Sequence, residues 1–209
     1  MKIGNLDINW LGHATFMIKG NGKTIYFDPF VLPPSPEKAD LILITHDHYD
    51  HCDSSKVNMI KKPDTVIITT QNASRKLSGN VRTVKAGDTL TEKGISIQAV
   101  PAYNSSKPFH PKGSGVGFVI DINGTKVYHA GDTDFIPEMS GIKTDIALLP
   151  IGGTYTMDEE DAVKAVLSIK PKIVIPMHYG YIEGTNADTD SFREKIRLEN
   201  PNIEVRVLE

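Results

Sequence analysis

Leu41-Ile42-Leu43-Ile44-Thr45 is a short apolar strand, and it leads directly into His46-Asp47-His48-Tyr49-Asp50-His51. The second segment places three imidazoles and two carboxylates within six positions. Such side chains lose hydration when they pack together, and a divalent cation is the usual group that compensates for that loss. A loop of solvated charges is the alternative, although polar loops seldom contain three histidines. The two segments therefore predict a metal site at the end of a buried strand.

Two later strands end in the same kind of side chain. The apolar run 126–130 is followed by Asp132, and the run 173–176 is followed by His178. In layered α/β folds the carboxyl ends of neighbouring strands meet at one edge of a sheet. We therefore expect these side chains to join the histidines of residues 46–51.

Length and composition indicate the setting of this site. The chain has 209 residues, which suits one domain spanning residues 1–209 and a core that needs no disulfide or structural metal. Cys52 is the only cysteine, which excludes an intrachain disulfide and a thiolate-rich zinc site. A formal charge of -3 argues against a nucleic-acid-binding face. With no signal-type segment and no run of about 18 apolar residues, the sequence predicts a cytoplasmic protein without integral membrane association.

The hydrophobic pattern alternates strands with a few helices and shows no fixed-period repeat. Asn123-Gly124 between two apolar runs predicts a hairpin, and Thr156-Met157-Asp158-Glu159 matches a capping box that opens a helix. Asp188 or Thr189 is expected to cap the last helix. The segment 101–115 is a long loop of the kind that is often functional. Together these signals predict two mixed sheets with helices on their outer faces.

The order of these motifs resembles the metallo-β-lactamase superfamily. Its metal motif, His-x-His-x-Asp-His, is matched by residues 46–51, its Gly-Asp motif by Gly131-Asp132, and its late strand-end histidine by His178. The stretches 10–15, 149–153 and 176–179 are similar to a small, single-domain branch. That branch includes lactonase-like metal-dependent hydrolases and N-acylphosphatidylethanolamine phospholipase D. The resemblance implies a four-layer αββα sandwich of two mixed β-sheets flanked by helices.

The resemblance also implies two cations per chain, Zn²⁺ or Mn²⁺, in two half-sites that share Asp132. The implied first half-site comprises His46, His48 and a third histidine. The implied second half-site comprises Asp50, His51 and His178.

The third histidine of the first half-site is where this chain departs from the family pattern. Related hydrolases often carry it soon after a Pro-Ala pair, but here Pro101-Ala102-Tyr103 is followed by Asn104. We assign the position to His110, because imidazole suits zinc better than an amide oxygen does. A direct Asn104 ligand, or a first half-site with fewer protein ligands, is the alternative.

Other side chains are candidates for contacts around the metals. His13 is expected either to contact a ligand or substrate or to be a satisfied structural histidine. Asp28 is expected to orient a ligand histidine. Tyr179 could donate to a developing oxyanion, with aromatic packing as the alternative. Lys107 and Lys112 flank His110 and either meet an anionic substrate or are solvated.

The function implied is hydrolysis of a small-molecule ester, lactone or phosphodiester by a metal-activated hydroxide that bridges two cations. In this reading Asp132 and Asp50 are the catalytic carboxylates, and the substrate is small and could be anionic. A mononuclear iron oxidoreductase on the same fold and a non-catalytic metal-binding module remain as alternatives. The oligomeric state is left open.

Overall fold

A computed structural model describes residues 1–208, which form two mixed sheets of seven strands each. In both sheets the spatial order of the strands follows the sequence. The first sheet contains β1 (Lys2–Ile3), β2 (Leu6–Gly12), β3 (Thr15–Gly20), β4 (Lys23–Phe27), β5 (Leu41–Ile44), β6 (Val66–Thr69) and β7 (Asn80–Thr83). The second contains β8 (Thr89–Glu92), β9 (Ile95–Ala102), β10 (Gly115–Ile122), β11 (Thr125–His129), β12 (Ile146–Pro150), β13 (Ile173–Met177) and β14 (Glu204–Val205).

The helices flank the two sheets, so the predicted αββα sandwich is confirmed. The helices are α1 (Ser54–Ile60), α2 (Gln71–Ser74), α3 (Glu159–Ile169), α4 (Thr189–Glu199) and a 3-10 helix at Pro137–Gly141. Among residues 1–208, no helix combines the length and the apolar character that a membrane crossing needs.

Strand β5 shows why the central strands are continuous apolar runs in the sequence. Successive side chains of a strand point to opposite faces. Leu41 and Leu43 accordingly pack in the large core that includes both sheets, whereas Ile42 and Ile44 pack in a second cluster with residues of α1 and α2. All four are buried, because the strand is covered on both sides.

The topology brings three strand ends to one edge. Strands β4 to β7 are parallel to one another, and so are β11 to β14. The two sheets meet at this edge, where the amide of Val116 donates to the carbonyl of Thr45 at 3.0 Å. The loops that follow β5, β11 and β13 therefore open onto a common space.

The predicted hairpin and the predicted cap of the last helix are confirmed, whereas one other helix cap differs. Asn123 and Gly124 both have positive φ, as the predicted hairpin requires, and Asp188 caps α4. The predicted capping box at Thr156 is wrong, because α3 begins two residues later. Asp158 is its N-cap and accepts from the amide of Asp161, while Thr156 is buried.

Candidate metal centre

The seven side chains that were predicted as ligands lie together at the shared edge of the sheets. Their nitrogen and oxygen atoms, together with those of His13, form overlapping groups in which the atoms lie within 4.8 Å of one another. These groups are His46, His48 and His110; His46, His51 and Asp132; and His13, Asp50, His51 and His178.

Asp132 occupies the middle of this arrangement. Its Oδ2 lies 3.2 Å from His110 Nε2 and 3.0 Å from His178 Nε2, and its Oδ1 lies 3.2 Å from His51 Nε2. The first contact is with the first predicted half-site, and the other two are with the second. One carboxylate thus reaches both sets of imidazoles.

The donor atoms fit a divalent cation. Buried atoms without a hydrogen-bond partner among residues 1–208 include Nε2 of His46, His51 and His178 and Oδ1 of Asp132. Buried polar atoms are normally paired, so such a cluster needs an explanation. Imidazole nitrogens and carboxylate oxygens are the donors that zinc and manganese accept. A cation bound between these atoms would satisfy them together.

The expected protonation states of the ligands agree with cation binding. Burial raises the pKa of Asp132, but His178 and His51 outweigh burial and hold that pKa well below its usual range. Burial likewise raises the pKa of Asp50, but the charge of His51 and the hydrogen bonds of His13 and His51 together outweigh burial and lower that pKa, so this carboxyl group also stays ionised. Burial, then His51, lowers the pKa of His46 well below its ordinary value. Ionised carboxylates and a neutral imidazole are the forms that coordinate metals.

His51 is the exception, and its surroundings explain why. Burial lowers its pKa, but Asp132, Asp50 and Asp28 outweigh burial and raise that pKa well above the ordinary value. The carboxylates thus hold a positive charge on this ring. A divalent cation would replace the proton that His51 carries among them.

Asp28 orients His51. The Nδ1 of His51 donates to Asp28 Oδ2 at 2.7 Å, and the same carboxylate accepts from the amide and the hydroxyl of Thr45, each at 2.8 Å. With Nδ1 used in this way, Nε2 faces the other donor atoms. A carboxylate behind a histidine is the arrangement that fixes the ring of a metal ligand.

Asn104 holds His110. Its Oδ1 accepts from the backbone amide and from Nδ1 of His110, both at 2.9 Å, and the backbone amide of Asn104 donates to the His110 carbonyl at 2.8 Å. The Nε2 of His110 then lies 3.1 Å from His48 Nδ1. The alternative of a direct Asn104 ligand is not what this geometry shows, since its amide oxygen is directed at His110.

A residue that sequence reasoning missed, Asp134, anchors this loop. Its buried carboxylate accepts from Asn104 Nδ2 at 3.0 Å, from the amides of Ser105 and Ser106 at 2.9 and 3.2 Å, and from Lys107 Nζ at 2.9 Å. The ammonium group of Lys107 is therefore not simply solvated, because it donates to Asp134 and, at 2.7 Å, to the carbonyl of Thr156. The available signal was that Asp134 lies two residues after Asp132, next to a predicted ligand.

His13 contacts the second half-site. Its Nε2 donates to Asp50 Oδ2 at 2.9 Å, and its ring centroid lies 3.9 Å from that of His178. Its carbonyl accepts from the amide of His178 at 2.9 Å and from the indole of Trp10 at 2.8 Å. His13 therefore orients one predicted ligand through its side chain and another through its backbone.

Tyr179 follows His178 and takes part in aromatic packing, which was the alternative to donation to an oxyanion. Its ring stacks on Trp10 with centroids 5.1 Å apart. Cys52, which follows the predicted ligand His51 in sequence, is buried, and burial raises the pKa of its thiol to about 11. An inert, protonated thiol is the packing role expected for it.

A cavity of about 430 Å³ opens over the clustered donor atoms. Five of the predicted ligands line it, namely His48, Asp50, His110, Asp132 and His178. Its size falls within the range of small-molecule sites, about 300 to 1,000 Å³. A small substrate can therefore reach the place where a cation would bind.

Comparison with known proteins finds similar metal-dependent hydrolases. The family model of the beta-lactamase superfamily domain matches residues 7–178. A UPF0173 metal-dependent hydrolase of Thermoplasma acidophilum is 40% identical over 203 residues, which covers 90% of each chain. The crystal structure of a candidate metal-dependent hydrolase from Parabacteroides distasonis has a TM-score of 0.87 and 36% identity, covering 98% of this chain and 94% of that one. A metallo hydrolase from Ignicoccus hospitalis has a TM-score of 0.80 and 30% identity, covering 98% and 95%.

Proposed function

This chain belongs to the beta-lactamase superfamily and, within it, to the UPF0173 family of metal-dependent hydrolases, and on that premise we propose that it is a hydrolase with a binuclear metal site. The proposed site binds two zinc or manganese ions and hydrolyses small esters, lactones or phosphodiesters. The observation that carries the proposal is the position of Asp132 between two sets of imidazoles, of which all but His48 are buried. We further propose that residues 1–209 act as one domain.

The ligand assignment follows the two half-sites. His46, His48 and His110 would hold the first cation, and Asp50, His51 and His178 would hold the second, with Asp132 between them. When bound, the cations would lower the pKa of water toward neutrality and polarise the oxygen of the scissile group.

The side chains around the ligands give the site its rigidity. Asp28, Asn104 and His13 each fix one ligand by a hydrogen bond of 2.7 to 2.9 Å. Ligands that are oriented before substrate arrives need no rearrangement during the reaction. Because Asp132 stays ionised, it can accept a hydrogen bond from the attacking water and so orient it. In the net reaction, water adds to the carbonyl or phosphoryl centre and the bond to the departing oxygen breaks.

The test combines metal content with activity. Purified protein should contain about two zinc or manganese ions per chain and should hydrolyse members of a panel of p-nitrophenyl esters, lactones and bis(p-nitrophenyl) phosphate. Asp132→Ala should lower the metal content and abolish hydrolysis, whereas Asp190→Ala, on the exposed surface of α4, should change neither.

Two results would overturn the proposal. One redox-active iron per chain without hydrolysis would favour the oxidoreductase alternative. Bound zinc or manganese with no turnover of any panel member would favour a metal-binding module.

A further inference from the structure

The cavity above the metal centre has aromatic and aliphatic walls. Tyr49, Phe109, Tyr155 and Ile182 line it together with the predicted ligands. Two of these side chains are unusually open to solvent, since 66% of Tyr49 and 41% of Phe109 are exposed. Exposed apolar surface that borders a concave site is a common mark of ligand binding.

The aromatic wall is held in place before any ligand binds. The ring of Phe109 packs edge-on against Tyr155 with centroids 4.9 Å apart. Phe109 also precedes His110, which Asn104 fixes, and the carbonyl of Tyr155 accepts from Asn104 Nδ2 at 3.0 Å. A wall of this kind loses little conformational freedom when an apolar group packs on it.

The charges around the cavity do not favour a substrate with an anionic group such as a phosphate. Lys76 is the basic side chain that lines it within residues 1–208, and its ammonium group donates to the Asp47 carbonyl and lies 3.6 Å from the Asp47 carboxylate. Lys107 is held by Asp134, and Lys112 lies 3.0 Å from Glu138. Beyond the metals, a phosphate would thus meet only lysines that already have carboxylate partners.

We propose that this cavity selects uncharged esters or lactones with an apolar acyl group, which packs against Phe109 and Tyr155 while the carbonyl faces the metal centre. The inference rests on the proposed hydrolase function and narrows its substrate class. It separates apolar esters and lactones from phosphodiesters, all of which the sequence analysis left open as substrates.

The test is a chain-length series of p-nitrophenyl acetate, butyrate and hexanoate, assayed beside bis(p-nitrophenyl) phosphate. Burial of one methylene group is worth up to about fourfold in binding, so kcat/KM should rise by about tenfold or more from acetate to hexanoate. The phosphodiester should be the poorer substrate. Sodium hexanoate should also bind more tightly than sodium acetate in calorimetric titrations of the metal-loaded protein.

Substitutions in the wall supply the controls. Phe109→Ser should reduce the ratio of kcat/KM for hexanoate to kcat/KM for acetate to about twofold. Phe109→Leu should retain most of the wild-type ratio, because leucine restores apolar surface. Leu198→Ser removes a side chain of α4 that is 70% exposed, and it should leave the ratio unchanged. Metal content, measured for each variant, confirms that His110 still binds.

The outcomes separate this inference from the proposed function. If no ester, lactone or phosphodiester is hydrolysed, the hydrolase proposal fails and the inference fails with it. If hydrolysis occurs but the wild-type protein is indifferent to acyl length, prefers the phosphodiester, or keeps its preference in Phe109→Ser, only the inference is overturned.

Discussion

Asn104→Ala should weaken the first half-site and spare the second. The substitution removes both hydrogen bonds that Asn104 Oδ1 accepts from His110, each 2.9 Å long, and the two that its Nδ2 donates to Asp134 and Tyr155, each 3.0 Å long. Loss of such a partner typically weakens metal binding by about 10 to 100-fold, or about 1.4 to 2.7 kcal/mol. The lost hydrogen bonds should also lower the free energy of unfolding by about 2 to 4 kcal/mol.

The assay is a zinc titration of metal-free protein against a chromophoric chelator, with thermal unfolding followed in parallel. We expect two tight cations in the wild-type protein and one in Asn104→Ala, since Asp28 and His13 still orient ligands of the second half-site. Asn58→Ala, on the exposed side of α1, is the matched control and should bind both cations. Two cations at wild-type affinity in Asn104→Ala would refute the reasoning. An equal loss at both half-sites would also refute it, because the effect would then not be local.

Two further substitutions test other supports of the centre. Asp28→Asn replaces a carboxylate that accepts from His51 and from the Thr45 backbone with an amide that has one acceptor oxygen. The second half-site should then bind zinc about 10 to 100-fold more weakly in the same titration. An unchanged zinc affinity would contradict the role of Asp28 in orienting His51. Gly152→Ala places a Cβ against the backbone carbonyl of His178, whereas a Cβ at Gly141 has nothing within 4 Å. Gly152→Ala should lower the free energy of unfolding by about 1 to 3 kcal/mol, or the Tm by up to about 10 °C, and Gly141→Ala should change the Tm far less. Equal shifts of the Tm in the two variants would contradict the close approach of Gly152 to His178.

Much of the fold could be predicted because its signals are local. The hairpin at Asn123-Gly124 depends on two adjacent residues that adopt positive φ readily. The buried strand β5 is recognisable from four consecutive apolar residues. The positions of Asp132 and His178 at strand ends then indicated that they would meet residues 46–51, because parallel strands share an edge.

The supports of the centre were harder to predict because they depend on partners far away in sequence. Asp134 receives Asn104 and Lys107 from a loop about 30 residues earlier, and nothing in either segment specifies that pairing. Thr156 and Asp158 can both cap a helix, and in the structure Asp158 caps α3 while Thr156 is buried. Side chains with several suitable partners are assigned by tertiary packing.

The most direct test of the account is an anomalous difference map from crystals of the zinc-loaded protein. We expect two peaks that both border the Asp132 carboxylate, one among His46, His48 and His110 and the other beside His178. A map without zinc peaks in this cluster, or with zinc only at surface side chains, would contradict the central claim that these ligands act together.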